Sequence, residues 1–94
     1  MEYIDVRWKQ SNPEDPVRLV SELDGQRNEV RKLEFFASGQ VGFASASGEA
    51  HGTGLGEAPV PSLAEINADA QFSGAAIEAS TFEALWQQYV RNAT

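Results

Sequence analysis

One histidine and two nearby serines are the first residues of this chain that suggest catalytic chemistry. A serine hydrolase needs a histidine to take the proton of the serine hydroxyl, and a carboxylate to hold the imidazole in place. His51 follows Ser45 and Ser47 in a stretch rich in glycine. Because no nucleophile-elbow sequence surrounds either serine, we interpret His51 as an exposed loop residue and not as a catalytic base.

A phosphate-binding loop is the second chemistry that the residues suggest, and it fails on spacing and charge. Gly52, Gly54 and Gly56 alternate with other residues, whereas the dinucleotide fingerprint spaces its glycines differently and lies between a strand and a helix. No lysine or arginine lies nearby, and Glu49 and Glu57 flank the glycines. The sequence therefore predicts no nucleotide cofactor.

Two pairs of carboxylates have spacings that suit metal binding or acid–base chemistry. Glu14 and Asp15 are adjacent between two prolines, which gives too few oxygen ligands for calcium. Glu65 and Asp69 are four residues apart and share one face of a predicted helix. They could serve as paired catalytic carboxylates, or they could form a solvated acidic edge of the helix. The chain has no cysteine and therefore no thiolate ligands. We expect neither a metal nor another cofactor.

Charge is distributed unevenly along the chain, whose formal net charge is -7. The first 34 residues contain eight acidic and six basic side chains, and the remainder contains six acidic side chains and only Arg91 as a base. A surface of one sign repels nucleic acid and anionic membranes and attracts basic partners. The composition therefore points to a basic protein as partner.

The first half of the chain has the alternating pattern of β-strands. Stretches rich in β-branched and aromatic residues, several of them with period two, indicate strands that are buried on one face. Short turns join them, so they predict an antiparallel meander of four strands, with Gln71–Glu78 as a candidate fifth. The four are Tyr3–Lys9, Val17–Asp24, Asn28–Ala37 and Gln40–Ala46.

Two dipeptides predict tight hairpins between these strands. Asp24-Gly25 is a hairpin dipeptide, because a type I′ turn needs positive φ angles that Asn, Asp and Gly tolerate. Ser38-Gly39 predicts a second tight turn, and a two-residue loop there places Phe35 opposite Gly42, where the ring fills the space of the missing side chain.

The second half of the chain predicts one long loop and two helices. Residues 45–61 are rich in Gly, Ala, Ser and Pro and predict a surface loop. A capping box beginning at Ser62 opens a short helix over 62–70, and another beginning at Ser80 opens a longer helix over 80–92. The longer helix carries one apolar stripe, which predicts packing against the sheet. The stripe consists of Phe82, Leu85, Trp86, Tyr89 and Val90.

A run of strands followed by helices predicts an α+β fold in a single domain, 1–94. We expect a four- to five-stranded antiparallel meander sheet with both helices packed on one face. The other face is expected to be open and to carry a mixture of charged and aromatic side chains. The predicted members of the open face are Tyr3, Asp5, Arg7, Arg18, Val20, Glu22, Lys32 and Glu34, with Phe36 and Phe43 at its fringe.

Nucleic acid and membranes are excluded as partners by the sequence. Acids and bases alternate on neighbouring strands, which predicts cross-strand ion pairs and cancels the positive potential that phosphate binding requires. The chain has no run of about 18 apolar residues for a membrane span. Its first residues also lack the apolar core of a signal peptide. We therefore expect a cytoplasmic protein.

Several segments together resemble a family of short bacterial proteins that is described as a domain of unknown function. The segments are MEYIDVRWK, DPVRLVSELD, EVRKLEFF with SGQVGFA, and LGEAPVPSLAEINAD ahead of FEALW. The resemblance extends over nearly the whole chain and implies one complete domain of bacterial or phage origin. It implies no activity, cofactor or catalytic residue.

Small size, acidic bias and the lack of a catalytic constellation favour a protein-binding module. Its most concrete form is an immunity or inhibitor protein that neutralises a basic partner such as a nuclease toxin, because opposite charge speeds encounter. The alternatives are a regulatory or assembly subunit acting as a homodimer, and a small enzyme that uses carboxylates of the sheet face. The predicted partner-binding residues are Tyr3, Asp5, Arg7, Arg18, Glu22, Glu34, Glu57, Glu65 and Asp69.

Overall fold

A six-stranded antiparallel sheet and two helices form the fold in the computed structural model, which describes residues 1–90. The sheet order is β5-β4-β3-β2-β1-β6. This confirms the predicted α+β class, the meander and the two helices, with a strand count slightly above the prediction. The elements are β1 Glu2–Trp8, β2 Arg18–Leu23, β3 Glu29–Phe35, β4 Val41–Ser45, β5 Gly48–Ala50, α1 Leu63–Ala68, β6 Phe72–Ala76 and α2 Ala79–Tyr89.

Each face of the sheet is covered by one helix, so the prediction of both helices on one face is wrong. Under α1 a core forms around Ile4, Val6 and Leu23, and under α2 a second core forms around Val20, Leu33 and Phe82. Neighbouring residues of a strand point to opposite faces, and in β1 and β2 apolar side chains occur on both faces. A sheet that is apolar on both sides needs a cover on each. We call these two surfaces the α1 face and the α2 face.

Lys32 and Glu34 lie on the opposite face from that predicted. In the ladder between β2 and β3, Lys32 pairs with Ser21 and Glu34 with Leu19, which places both on the α1 face. The prediction assumed that apolar and charged side chains separate by face. That assumption fails because Lys32 is paired with Glu29 and Glu34, and these glutamates accept hydrogen bonds from Thr53 and Gly56 of the segment that folds over this face.

Both hairpins have three residues in their loops, whereas a two-residue loop was predicted for the second. Asp24 accepts a hydrogen bond from the Arg27 N–H and pairs with Asn28, and Arg27 takes the left-handed conformation at φ 64°. In the second hairpin the Phe36 N–H donates to the Gln40 carbonyl at 3.0 Å. A left-handed third residue is typical of such loops.

The longer second loop changes the partner of Gly42. Glu34 lies opposite Gly42, and Phe35 lies opposite Val41. The space beside Gly42 is filled by Thr53, because a Cβ added to Gly42 would lie 2.1 Å from the Thr53 hydroxyl oxygen. The predicted pairing of Phe35 with Gly42 is therefore wrong by one residue.

Residues 45–61 are not a surface loop throughout, since they contain β5 and fold back over the α1 face. Thr53 is buried and donates to Glu34 at 2.8 Å. The Val60 N–H donates to the Arg27 carbonyl at 2.8 Å and fixes the end of the segment beside the sheet. These backbone and side-chain bonds hold the segment in place against the sheet.

The two helices follow the predicted patterns, with different ends. Ser62 caps α1 and accepts from the Glu65 N–H at 3.2 Å, as the capping box predicts. In α2 the predicted capping box does not form, because the helix begins at Ala79 and Ser80 lies inside it. The apolar stripe of α2 packs on the sheet as predicted. The end of the predicted helix, including Arg91, lies outside the described residues. Neither helix within residues 1–90 has the length or apolar character to cross a membrane.

Candidate functional site

Four of the predicted binding residues lie on the α2 face and are bonded to one another or to their neighbours. Arg18 donates to both carboxylate oxygens of Asp5, at 3.0 and 2.7 Å, and this pairing raises the pKa of Arg18. The Tyr3 hydroxyl donates to Glu22 at 2.9 Å, and this hydrogen bond raises the pKa of Tyr3. Their polar groups are used to hold the molecule together.

Arg31 is the centre of this polar network, and the sequence did not single it out. Its guanidinium donates to Glu22 at 2.6 and 3.0 Å and also to Glu83 of α2. It lies over the rings of Phe82 and Trp86, at 4.9 and 5.1 Å from their centres. The hydrogen bond from Arg31 lowers the pKa of Glu22. Glu83, next to Phe82 in the apolar stripe of α2, was the available signal for an arginine partner on the sheet.

Glu34 is engaged in a second polar cluster, on the α1 face. Lys32 is buried with 8% of its surface exposed, and its Nζ lies 3.0 Å from Glu29 and 4.0 Å from Glu34. Glu34 also accepts the hydrogen bond from Thr53. Glu34 is therefore a structural partner of Lys32 and Thr53, and it does not join the carboxylates on the opposite face.

Four predicted binding residues are exposed and have no ion-pair partner among residues 1–90. They are Arg7, Glu57, Glu65 and Asp69. Arg7 lies on the α2 face opposite Arg18, away from the other three. Two of them, Glu65 and Asp69, line the same cavity, whereas Glu57 does not.

That cavity has a volume of about 380 Å³ and lies between the α1 face of the sheet, α1 and the chain at Val60 and Pro61. Its floor is apolar and includes the buried Ile4 and Val6. Its volume falls in the range of clefts that bind ligands or anchoring side chains, roughly 300–1,000 Å³. The lining residues are Ile4, Val6, Leu19, Ser21, Glu29, Val60, Pro61, Glu65, Ile66, Asp69 and Phe72.

Acidic side chains surround this apolar floor. Glu65 and Asp69 are exposed at one side, and Glu29 lies at the other, where it is paired with Lys32. Arg27 is the nearby cation, and its guanidinium is bound to the Val60 and Pro61 carbonyls and to Glu2. Neither Glu65 nor Asp69 has an ion-pair partner among residues 1–90.

The cavity floor also contains a polar group that the sequence did not single out, the hydroxyl of Ser21. Ser21 is 4% exposed and lines the cavity, and none of the side-chain hydrogen bonds within residues 1–90 involves its hydroxyl. In β2 it lies between Leu19 and Leu23, and the three side chains point to the α1 face. The sequence signal for Ser21 was a small polar residue between two leucines whose side chains point to the same face of the sheet.

The remaining chemical candidates are not assembled into a site. His51 is exposed with φ 58°, and it lines a polar cleft with Glu14, Asp15 and Glu34. The hydroxyls of Ser45 and Ser47 lie 3.2 Å from each other and not beside the imidazole. Across residues 1–90, no three His, Asp or Glu side chains come together in a group that would hold a metal ion.

The free edge of β6 is closed by a side chain. The amide of Asn67 donates to the Gly74 carbonyl at 3.0 Å and accepts from the Gly74 N–H at 2.7 Å. These are the groups that an added strand would use, so Asn67 blocks strand addition at the centre of this edge.

The family of the chain is shown by comparison with known proteins. A family model described as a domain of unknown function (DUF6881) matches residues 2–91, and the chain belongs to that family. This confirms the resemblance to a domain family of unknown function over nearly the whole chain. No curated protein and no solved structure matches the chain.

Proposed function

We propose that this protein is a small acidic protein-binding module, not an enzyme, and that it receives a basic partner at the cavity under α1. In its most concrete form it is an immunity or inhibitor protein that covers the active surface of a basic protein such as a nuclease toxin. The proposal places it in the cytoplasm, where a nuclease toxin would meet its substrate.

The observation that carries the proposal is an apolar cavity with unpaired carboxylates on its rim. Interfaces draw most of their affinity from a few anchoring side chains that enter such pockets and lose their water. Glu65 lies in α1, Asp69 is the residue that caps its C-terminal end, and both line the cavity. Two neighbouring basic groups of one partner can therefore meet both carboxylates while an apolar group enters the cavity.

Electrostatics supports a basic partner in particular. Complementary charges raise the association rate and suppress partners of the wrong sign. The exposed Ala84, Gln87 and Gln88 of α2 carry no charge and its Glu83 is paired with Arg31, whereas Glu65 and Asp69 on the α1 side have no ion pair among residues 1–90. A basic partner is therefore directed to the face that has the cavity.

The enzyme alternative receives no support from the carboxylates that it would use. Asp5 is bound to Arg18, Glu22 to Arg31 and Tyr3, and Glu34 to Thr53. A general acid or base needs a cleft and a group that is free to exchange its proton with a substrate. A homodimer formed by pairing of two β6 edges is disfavoured, since Asn67 occupies the backbone groups of Gly74 at that edge.

The proposal is tested with a partner that is first identified by co-purification from the source cells, with the product of the adjacent gene as the first candidate. The affinity for the purified partner is then measured by calorimetry for wild type and for the double variant Glu65→Gln/Asp69→Asn. Loss of two partly desolvated ion pairs is expected to weaken binding about tenfold or more. The matched control is Glu57→Gln, which removes an exposed carboxylate outside the cavity and should change the affinity less than about twofold.

Two results would refute the proposal. One is a partner that is bound with equal affinity by wild type and the double variant. The other is a cognate partner with an acidic surface, for which removal of the two charges would strengthen binding.

A further inference from the structure

The Ser21 hydroxyl is the one polar side-chain group on the apolar floor of the cavity. Ser21 pairs with Ile4 on one side and with Lys32 on the other, and the Lys32 ammonium is bound to Glu29. A hydroxyl can donate one hydrogen bond and accept two. Within residues 1–90 the Ser21 hydroxyl takes part in no side-chain hydrogen bond, and the residue, 4% exposed, lines the cavity.

The three parts of the cavity define the order of groups in its occupant. The deepest group must form a hydrogen bond with Ser21. The middle must be apolar, because Ile4, Val6 and Phe72 surround it. The outer group must be a cation, because Glu65 and Asp69 lie at the rim.

We infer that the cavity binds a tyrosine side chain of the basic partner, with the phenol hydroxyl on Ser21 and a lysine or arginine beside that tyrosine on Glu65 and Asp69. This inference rests on the proposed function and specifies its anchor. Tyrosine combines a rigid apolar ring with a polar tip, and it is enriched among the anchoring residues of protein interfaces. Phenylalanine would displace water from the Ser21 hydroxyl without supplying a hydrogen bond in its place.

Tyramine is the probe that contains the same groups, a phenol hydroxyl, a ring and an ammonium. Its binding to the full chain is measured by ¹H–¹⁵N correlation spectra and compared with phenethylamine, which lacks the hydroxyl, and with 4-ethylphenol, which lacks the cation. We expect tyramine to bind most tightly, with each of the other two weaker by about threefold or more, and to shift the amide signals of Val6, Ser21 and Phe72. A weak fragment affinity in the millimolar range is the expected scale.

Variants separate the two polar contacts. In Ser21→Ala, tyramine and phenethylamine should bind equally, whereas in Glu65→Gln/Asp69→Asn the advantage of tyramine over 4-ethylphenol should disappear. Ser47→Ala is the matched control, since it removes an exposed serine hydroxyl far from the cavity lining, and it should behave as wild type.

The inference is overturned if tyramine and phenethylamine bind wild type equally, or if tyramine does not shift the signals of the cavity residues. That comparison uses wild-type protein and does not depend on the folding of a variant. The proposed function fails separately, if the identified partner binds with unchanged affinity when Glu65 and Asp69 are replaced. A partner that needs both carboxylates but binds equally with its contacting tyrosines changed to phenylalanine refutes the tyrosine anchor alone.

Discussion

Arg31 is the residue on which the attachment of α2 to the sheet depends most. Its side chain joins Glu22 of β2 to Glu83 of α2 and lies against two rings of the helix. Glu22 is 6% exposed, so its charge needs this partner. Removing one member of a buried ion pair leaves the other charge without compensation.

We predict that Arg31→Met lowers the free energy of unfolding by roughly 3 kcal/mol, because it leaves the Glu22 carboxylate buried and unpaired. Arg31→Lys should fall between this variant and wild type, since lysine keeps the charge but loses the planar two-point contact and the stacking on the rings. Urea denaturation measures all three. Arg7→Met is the control: Arg7 is exposed with no ion pair in the described chain, and a loss as large as that of Arg31→Met would contradict the account.

Glu22 also predicts how stability depends on pH. Hydrogen bonding to Arg31 lowers the pKa of Glu22 in the folded protein, while the unfolded chain has the ordinary value near 4.5. A group with a lowered folded pKa contributes stability above its unfolded pKa, and this contribution is lost as the pH falls through the folded pKa.

We therefore expect the free energy of unfolding to fall on acidification below about pH 4.5, and to fall less steeply in Glu22→Gln. Urea denaturation at a series of pH values between about 3 and 7 gives the slope. Glu57→Gln should keep the wild-type slope. An unchanged slope in Glu22→Gln would show that Glu22 is not the group responsible.

Single residues of the candidate site were partly predictable from the sequence. Glu65 and Asp69 were recognised as one acidic face because their spacing is a local property of a helix. Ser21 was missed because its role depends on the apolar side chains that Val60, Ile66 and Phe72 bring over it from distant parts of the chain. Arg31 was missed for the same reason, as Glu83 lies 52 residues away.

At the scale of elements, the edge strand β6 is protected by α1. The Asn67 amide takes both backbone groups of Gly74 that face away from β1. An uncovered edge offers its backbone groups to another chain. The short helix α1 therefore blocks strand addition at the β6 edge and also forms one side of the cavity.

We predict that Asn67→Ala causes association that increases with protein concentration, because it opens the centre of the β6 edge. Sedimentation velocity at several concentrations measures this, with Asn28→Ala as a control in a hairpin loop away from that edge. If Asn67→Ala and wild type sediment alike at all concentrations, the edge is protected by something other than Asn67.

Elements whose pattern is local were predicted well, and their arrangement was not. The stripe of α2 and the Ser62 cap are set by residues within a few positions of each other, and both are present. The face that each helix covers depends on β6 pairing with β1, which joins Ile4 to Ala76 across the whole chain. The three-residue length of the loop at Ser38-Gly39 was also missed, because a dipeptide that favours a two-residue turn fits a three-residue loop equally well.

At the scale of the whole molecule, the uneven charge of the sequence corresponds to a difference between two sides of the sheet. On the α2 side Asp5, Glu22 and Glu83 are paired with Arg18 or Arg31, and the exposed Ala84, Gln87 and Gln88 of the helix are uncharged. On the α1 side Glu65 and Asp69 remain without an ion pair in the part of the chain that is described. Binding to a basic partner should accordingly weaken as salt rises, with a smaller salt dependence in Glu65→Gln/Asp69→Asn.

The most direct test of the account is the footprint of the purified cognate partner on the ¹⁵N-labelled protein. We predict that the amide signals that shift or broaden belong to the lining of the cavity, Val60, Glu65, Ile66, Asp69 and Phe72, while Ala84, Gln87 and Gln88 on the outside of α2 stay unchanged. A footprint centred on the outside of α2, with the cavity residues unaffected, would contradict the central claim that the α1 face is the binding surface.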